Sequence, residues 1–173
     1  MVKNQEMDIN KMKFENIKPE FFRRIQELIK QRYKLRPINF TSNKDIMPYT
    51  DDMFDVFSKS HAVLSSFVEI TPLQRDYFKK KFIGFVNPEY VKFVVDENDK
   101  LIAFGIVTPS YATALQKMNG KLFPFCFYHL LKAKKESKEV LFYLIGVDPE
   151  YQSKGVTAII FDEYFKTFSK NCK

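Results

Sequence analysis

A chain of 173 residues, 45% hydrophobic and 28% charged, is long enough for one domain with a buried core and short for two. It has no apolar run near the roughly 18 residues of a membrane span and no apolar signal segment near its N-terminus, so we expect neither a membrane protein nor a secreted one. Its two distant cysteines, Cys126 and Cys172, indicate free thiols and a cytoplasmic location.

The formal net charge of +7 favours anionic partners, such as a phosphorylated cofactor, nucleic acid or an acidic surface. Residues 101–135 contain five lysines and no acidic residue. Basic and aromatic residues are not interleaved along one strand, however, and no RNA-binding motif is present, which argues against a nucleic-acid partner. The simpler explanation of the positive charge is that surface lysines maintain solubility. Neither His61 nor His129 has a second ligand at metal-binding spacing, so we expect no metal site.

The N-terminal part of the chain predicts a helix, a strand and a second helix. Lys18-Pro19-Glu20 is typical of a helix start, because proline suits the first helical position. One apolar face then continues to about Tyr33, through Phe21, Ile25, Leu28 and Ile29. The segment from Leu35 to Phe40 suits an edge strand, because Pro37 has no N–H to donate. The next helix, Thr50 to Ser60, is expected to turn Met53, Phe54 and Phe57 inward.

A third helix and a hairpin follow. Thr71-Pro72-Leu73-Gln74 combines a threonine N-cap, a proline at the first position and a glutamine at capping-box spacing. The apolar stripe expected for this helix is Leu73, Tyr77, Phe78 and Phe82. Val91–Val95 and Leu101–Val107 have β-type periodicity, and the polar residues 96–100 between them predict an antiparallel hairpin.

The remainder predicts short helices at 110–117 and 126–133, then a strand and a last helix. The continuous apolar run Val140–Val147 is typical of a central strand covered on both faces, and the last helix is expected from Val156 to Ser169. The order of elements predicts an α/β (α+β) fold, a mixed sheet flanked by helices. We divide it into an N-terminal helical segment, residues 1–34, and a domain at 35–173 with a helical insertion at about 109–136.

The joint between the last strand and the last helix is the part of the sequence most suggestive of chemistry. A helix N-terminus presents unpaired N–H groups and a partial positive charge, which together suit a phosphate. Gly155 allows a close approach of the backbone, Lys154 adds charge, and the amide of Gln152 can orient the loop. The sequence contains no P-loop and no dinucleotide fingerprint. An ordinary strand-to-helix turn is the alternative.

From Val147 to Thr157 the sequence VDPEYQSKGVT resembles the central motif of the GNAT N-acetyltransferase superfamily: a strand ending in valine, a short loop, then Gln/Arg-x-x-Gly-x-Gly/Ala opening an apolar helix. Thr157 replaces the second small residue of that motif. The upstream order of strand, helices and hairpin is also similar, so the resemblance extends from about Leu35 to Ser169. It implies acetyl-CoA, or another acyl-CoA, as co-substrate and a small-molecule or peptide amine as acceptor. The implied pyrophosphate cradle is the run Gln152, Ser153, Lys154, Gly155, Val156 and Thr157.

The resemblance further implies that Ile145 and Val147 form the strand edge that binds the pantetheine arm. Gly146 is expected to mark a β-bulge there. Some members of the family carry a glutamate base on this strand, and the corresponding position here is about Leu141, which cannot serve. Glu139 and Tyr143 share its face by strand alternation, and we assign no catalytic residue.

The family also continues with further strands that do not follow here, so the fold is expected to be C-terminally incomplete. A partner strand is then expected from the N-terminal segment, a second copy of the chain in a homodimer, or another polypeptide, because an apolar strand edge is rarely left open. Three functions are thus compared: a GNAT-type N-acyltransferase, a non-catalytic GNAT-like interaction module with or without bound CoA, and a basic nucleic-acid-associated protein.

Overall fold

A four-stranded antiparallel sheet with helices on both faces forms the centre of the protein. The computed structural model describes residues 19–64, 67–83, 86–109 and 140–171, and the helices expected at 110–117 and 126–133 lie outside these ranges. The elements are α1 (Pro19–Tyr33), β1 (Arg36–Asn39), α2 (Asn43–Ile46), α3 (Thr50–His61), α4 (Pro72–Phe78), β2 (Val91–Val95), β3 (Leu101–Pro109), β4 (Val140–Val147) and α5 (Thr157–Asn171). A mixed helix and strand architecture is therefore confirmed.

The strands follow chain order, β1-β2-β3-β4, and every neighbouring pair is antiparallel, so the described sheet is antiparallel and not the mixed sheet that was expected. The predicted hairpin is confirmed as β2 and β3, with Phe93 opposite Phe104. Its turn is closed by the side chain of Asp96, whose Oδ1 accepts from the N–H groups of Asn98 and Lys100 at 2.8 and 3.0 Å. Such aspartate-centred turns form from local sequence alone, which explains why the hairpin was predictable.

Each face of the sheet carries its own apolar core. On one face, α2 and α3 pack against residues of β2, β3 and β4. Its most buried members are Phe40, Ile46, Met53, Phe54, Phe93 and Phe104. On the other face, α1 and α5 cover the sheet, with Ile29, Val94, Ile102, Ile159, Ile160 and Tyr164 buried among them. Met53 and Phe54 point inward as predicted.

Two predicted helix faces differ from the structure. The Thr71 capping box is confirmed, with Thr71 Oγ1 accepting from Gln74 N–H and Gln74 Oε1 accepting from Thr71 N–H. Leu73 and Tyr77 are nevertheless 81% and 59% exposed, and Leu28 on α1 is 68% exposed. Helical spacing shows which residues share a face, but the neighbouring elements decide how wide a stripe is buried.

The strand β4 lies at the edge of the described sheet and not in its centre as predicted, although Phe142 packs against α5 and Leu144 packs in the opposite core. The middle positions are taken by β2 and β3. Leu141 and Tyr143 of β4 are 51% and 56% exposed. An unbroken apolar run indicates burial in general, but it does not distinguish a central strand from an edge strand whose outer surface remains open.

Buried charges connect the strands to α5. Lys92 on β2, only 4% exposed, donates to Asn39 Oδ1 at 2.7 Å. Asn39 Nδ2 in turn donates to Glu163 Oε2 at 2.8 Å. Lys166 donates to Glu163 Oε1 at 2.7 Å and lies 2.7 Å from Asp162 Oδ2. These contacts supply partners for charged groups that would otherwise be costly to bury.

Burial alone would raise the pKa of the Glu163 carboxyl. Hydrogen bonds from Lys166 and Asn39, with the charges of Lys166 and Lys30, outweigh burial and leave that pKa below its ordinary value. The ionised carboxylate therefore stabilises the folded state. No helix within the described ranges has both the length and the apolar composition needed to cross a membrane.

Candidate functional site

The loop that leaves β4 is tied to the sheet at its first residue. Asp148 is buried, and its N–H donates to Ile102 O at 2.8 Å. Its side chain caps a 3-10 helix, Pro149–Lys154, by accepting from Glu150 N–H at 3.1 Å. The Val-Asp-Pro sequence thus has a structural role: aspartate begins the short helix and proline occupies its first turn.

Gly155 reverses the chain between this short helix and α5. Its φ of 73° and ψ of 17° are left-handed, a conformation that costs little for glycine and more for residues with a Cβ. A Cβ there would also lie 3.1 Å from Ile29 Cδ1 on α1. The turn by itself therefore accounts for Gly155.

Two backbone N–H groups at the start of α5 already donate to backbone carbonyl oxygens. Ala158 N–H donates to Gly155 O at 2.9 Å, and Ile159 N–H donates to Val156 O at 3.0 Å. Both are tight bonds to the third preceding residue. A phosphate at this end would meet fewer open N–H groups than at a helix start without these bonds, although the helix dipole is unchanged.

The predicted cradle residues do lie together, but their side chains face different surroundings. Gln152 and Ser153 are exposed, Lys154 and Thr157 are half-buried, and Val156 is 1% exposed within the core under α5. Val156 therefore offers a ligand only its backbone. The amide of Gln152 orients the loop as expected, because its Nε2 donates to Val147 O at 3.3 Å.

The bulge in β4 lies at Tyr143, and the expectation that Gly146 marks it is wrong. Ile106 pairs with Leu144 whereas Val107 pairs with Phe142, so Tyr143 is the additional residue. Phe142 then contacts the rings of α5 while Leu144 packs in the opposite core.

Gly146 has another role. A Cβ there would lie 2.4 Å from the ring of buried Phe104, so only glycine fits against that side chain. The predicted pantetheine edge residues, Ile145 and Val147, pair on their inner side with Gly105 and Ala103 of β3.

Strand alternation does not define a catalytic face on β4. The bulge interrupts the two-residue period beyond Phe142, so the argument that Leu141 and Tyr143 share one face does not hold. Glu139 lies outside the described residues. Within the described ranges, no three His, Cys, Asp or Glu side chains gather where they could hold a metal ion.

The sequence did not identify Tyr33 and Tyr151 as neighbours of Lys154. Lys154 Nζ lies 4.2 Å from the ring centroid of Tyr151 and 5.1 Å from that of Tyr33. The two rings meet edge to face, with centroids 6.2 Å apart. Tyr151 stands three residues before Lys154 in the motif, but no local signal indicates that Tyr33, at the end of α1, would reach this loop.

A separate open groove of about 490 Å³ lies at the start of α4, on the face of the sheet opposite α5. It contains none of the predicted site residues. Its lining is Asp51, Glu69, Ile70, Thr71, Pro72, Arg75 and Asp76. Arg75 pairs with Asp55 at 2.6 Å and Lys79 with Asp51 at 2.6 Å. The charges of the lining residues Arg75 and Asp51 are therefore neutralised by neighbouring side chains.

Comparison of the chain with protein-family models, with curated proteins and with solved structures finds no match. The candidate site therefore stands on the motif and on the geometry of the β4–α5 joint.

Proposed function

We propose that this chain is a GNAT-type N-acyltransferase that transfers an acetyl or other acyl group from CoA to an amine. The observation that carries the proposal is the joint between β4 and α5. A strand ends at Val147, a capped loop turns at left-handed Gly155, and the 15-residue helix α5 begins two residues later at Thr157. The order of strand, helices, hairpin, strand and helix supports it further.

In this proposal the pyrophosphate of CoA lies against the loop, where Gln152 and Ser153 are exposed and Lys154 supplies a cation. The pantetheine arm follows the outer edge of β4 near Ile145 and Val147. Val147 O accepts a hydrogen bond from the Gln152 side chain, so a ligand amide that pairs with this carbonyl would replace that contact.

The reaction itself requires mainly positioning. The amine nitrogen attacks the carbonyl carbon of the thioester, the C–S bond breaks, CoA leaves as the thiolate and the nitrogen loses a proton. Holding both reactants in attacking geometry supplies much of the rate enhancement in such transfers. We assign no catalytic residue from the described part of β4.

Calorimetric titration of acetyl-CoA into the full chain tests the proposal. We compare the wild type with Ser153→Glu, which places a negative charge in the loop, and with Ser169→Glu, the same change at the opposite end of α5. Both serines are exposed. We expect saturable binding by the wild type, about tenfold weaker binding by Ser153→Glu because the added carboxylate repels the pyrophosphate at a cost of roughly 1.4 kcal/mol, and wild-type affinity in Ser169→Glu.

Absence of saturable binding at millimolar acetyl-CoA would overturn the proposal, as would equal effects of the two glutamates. Where binding is observed, release of free CoA thiol in the presence of a panel of primary amines tests transfer.

A second candidate is a non-catalytic module that acts by binding a protein strand, favoured by the exposed apolar side chains of Leu141 and Tyr143 on β4. Size-exclusion chromatography with light scattering tests the homodimer version. Tyr143→Lys should dissociate a dimer joined through this edge, because a lysine opposes edge pairing. A monomeric wild type would contradict that version.

A further inference from the structure

Two tyrosines from different parts of the chain enclose the only lysine of the loop Pro149–Lys154. Lys154 Nζ lies 4.2 Å from the Tyr151 ring centroid and 5.1 Å from the Tyr33 ring centroid. The rings meet at 78°, so the ammonium lies in the angle between them. We call Tyr33 and Tyr151 the aromatic clamp.

The clamp attracts the ammonium without using its hydrogen-bond donors. The negative face of an aromatic ring attracts a cation, and a lysine ammonium carries three N–H donors that remain able to reach an anion. A free lysine side chain loses much rotamer entropy when it is fixed on a ligand. A side chain already restricted by two rings loses less, which improves affinity through pre-organisation.

Tyr33 can act at the loop because α1 is anchored beside α5. Phe22 on α1 lies 6.0 Å from the ring of Phe161 and 6.2 Å from that of Phe165. At the other end of α1, Ile29 packs against the turn at Gly155. The two helices therefore run antiparallel, which brings Tyr33, the last residue of α1, to the loop Pro149–Lys154 that precedes α5.

We propose that Tyr33 is a positioning residue for the phosphate loop: with Tyr151 it holds the Lys154 ammonium ready to meet the pyrophosphate of CoA. This inference rests on the proposed function. Helix α1 then contributes to the binding site, although the sequence places residues 1–34 in a segment separate from the domain at 35–173.

The test is a double-mutant cycle, read by titration of acetyl-CoA into the full chain. Tyr33→Leu removes the ring, Tyr33→Phe keeps it, and Lys154→Met removes the cation while keeping the side-chain length. We expect about threefold weaker binding for Tyr33→Leu, affinity within about twofold of wild type for Tyr33→Phe, and about tenfold weaker binding for Lys154→Met. Tyr33→Leu should have no further effect in the Lys154→Met background.

Lys34→Met is the matched charge control. It removes one cation adjacent to Tyr33, but the Lys34 ammonium pairs with Glu97 at 2.8 Å and lies outside the clamp. We expect it to leave the affinity close to that of the wild type. A loss as large as that of Lys154→Met would show that total charge, rather than the position of Lys154, controls binding, and would overturn the inference.

A purely structural role for Tyr33 gives a different result. The inference fails if Tyr33→Leu weakens binding equally with and without Lys154, or if Tyr33→Phe is as weak as Tyr33→Leu. If the wild type binds acetyl-CoA but the cycle shows no coupling, only this inference is overturned. If the wild type does not bind, the proposed function fails and this inference with it.

Discussion

The substitution Gly155→Ala tests whether backbone geometry at the β4–α5 joint requires glycine. An alanine held at a φ of 73° is about 1–2 kcal/mol less stable than in a right-handed conformation. Its Cβ would approach Ile29 Cδ1 to 3.1 Å, but this atom is the end of a flexible side chain that can shift by a few tenths of an ångström. We therefore expect the free energy of unfolding to fall by about 1–2 kcal/mol, mainly because of the backbone.

Urea unfolding followed by far-UV circular dichroism measures this change, since the chain has no tryptophan to report by fluorescence. For a chain of this length the expected loss corresponds to a decrease in Tm of about 2–8 °C. Gly155→Asn should be less destabilised than Gly155→Ala, because asparagine tolerates the left-handed region. Ser153→Ala, exposed in the same loop, should stay within about 0.5 kcal/mol of the wild type.

Equal stability of Gly155→Ala and the wild type would refute the reasoning, because α5 would then begin without a left-handed residue. If the alanine variant were as stable as the wild type and yet lost acetyl-CoA binding, Gly155 would be needed for ligand approach rather than for the turn. The two roles are therefore separated by measuring stability and binding on the same variant.

Three further predictions concern the fold. Gly146→Ala places a Cβ 2.4 Å from the Phe104 ring, so we expect a loss of about 1–3 kcal/mol in unfolding free energy, partly recovered by adding Phe104→Leu; no loss would contradict this packing. Thr71→Ala removes the N-cap of α4 and should destabilise that helix by about 1 kcal/mol, measured as faster amide exchange over residues 73–78, whereas unchanged exchange would speak against the cap. The lowered pKa of Glu163 means that its ionised form stabilises the fold above an ordinary value of 4.5 and that this contribution is lost as the pH falls through the folded-state pKa. The stability difference between wild type and Glu163→Gln should therefore shrink in acid, and a difference independent of pH would rule out this linkage.

Elements defined by local interactions could be predicted from the sequence. The capping box at Thr71 uses groups three residues apart, and the turn at Asp96 is closed by a side chain bonding its own neighbours. Each of these side chains bonds to backbone groups at most four residues away, so these elements could be predicted without tertiary information.

The candidate site could be predicted only in part. The motif from Val147 to Thr157 indicated a loop and a helix start, and both are present with Gln152 hydrogen-bonded to Val147 O. The bulge was placed at Gly146 because glycine is common at bulges, yet the register places it at Tyr143. Binding of CoA and acyl transfer remain predictions.

The sequence by itself determined where most of the described helices and strands form, because their caps, turns and periodicities act over a few residues. Only the tertiary structure decided that β4 is an edge strand of the described sheet, that Leu73 and Tyr77 face solvent, and that Tyr33 lies against Lys154. These outcomes depend on which elements become neighbours in space. Residues far apart in the chain supply those neighbours, and no local pattern specifies them.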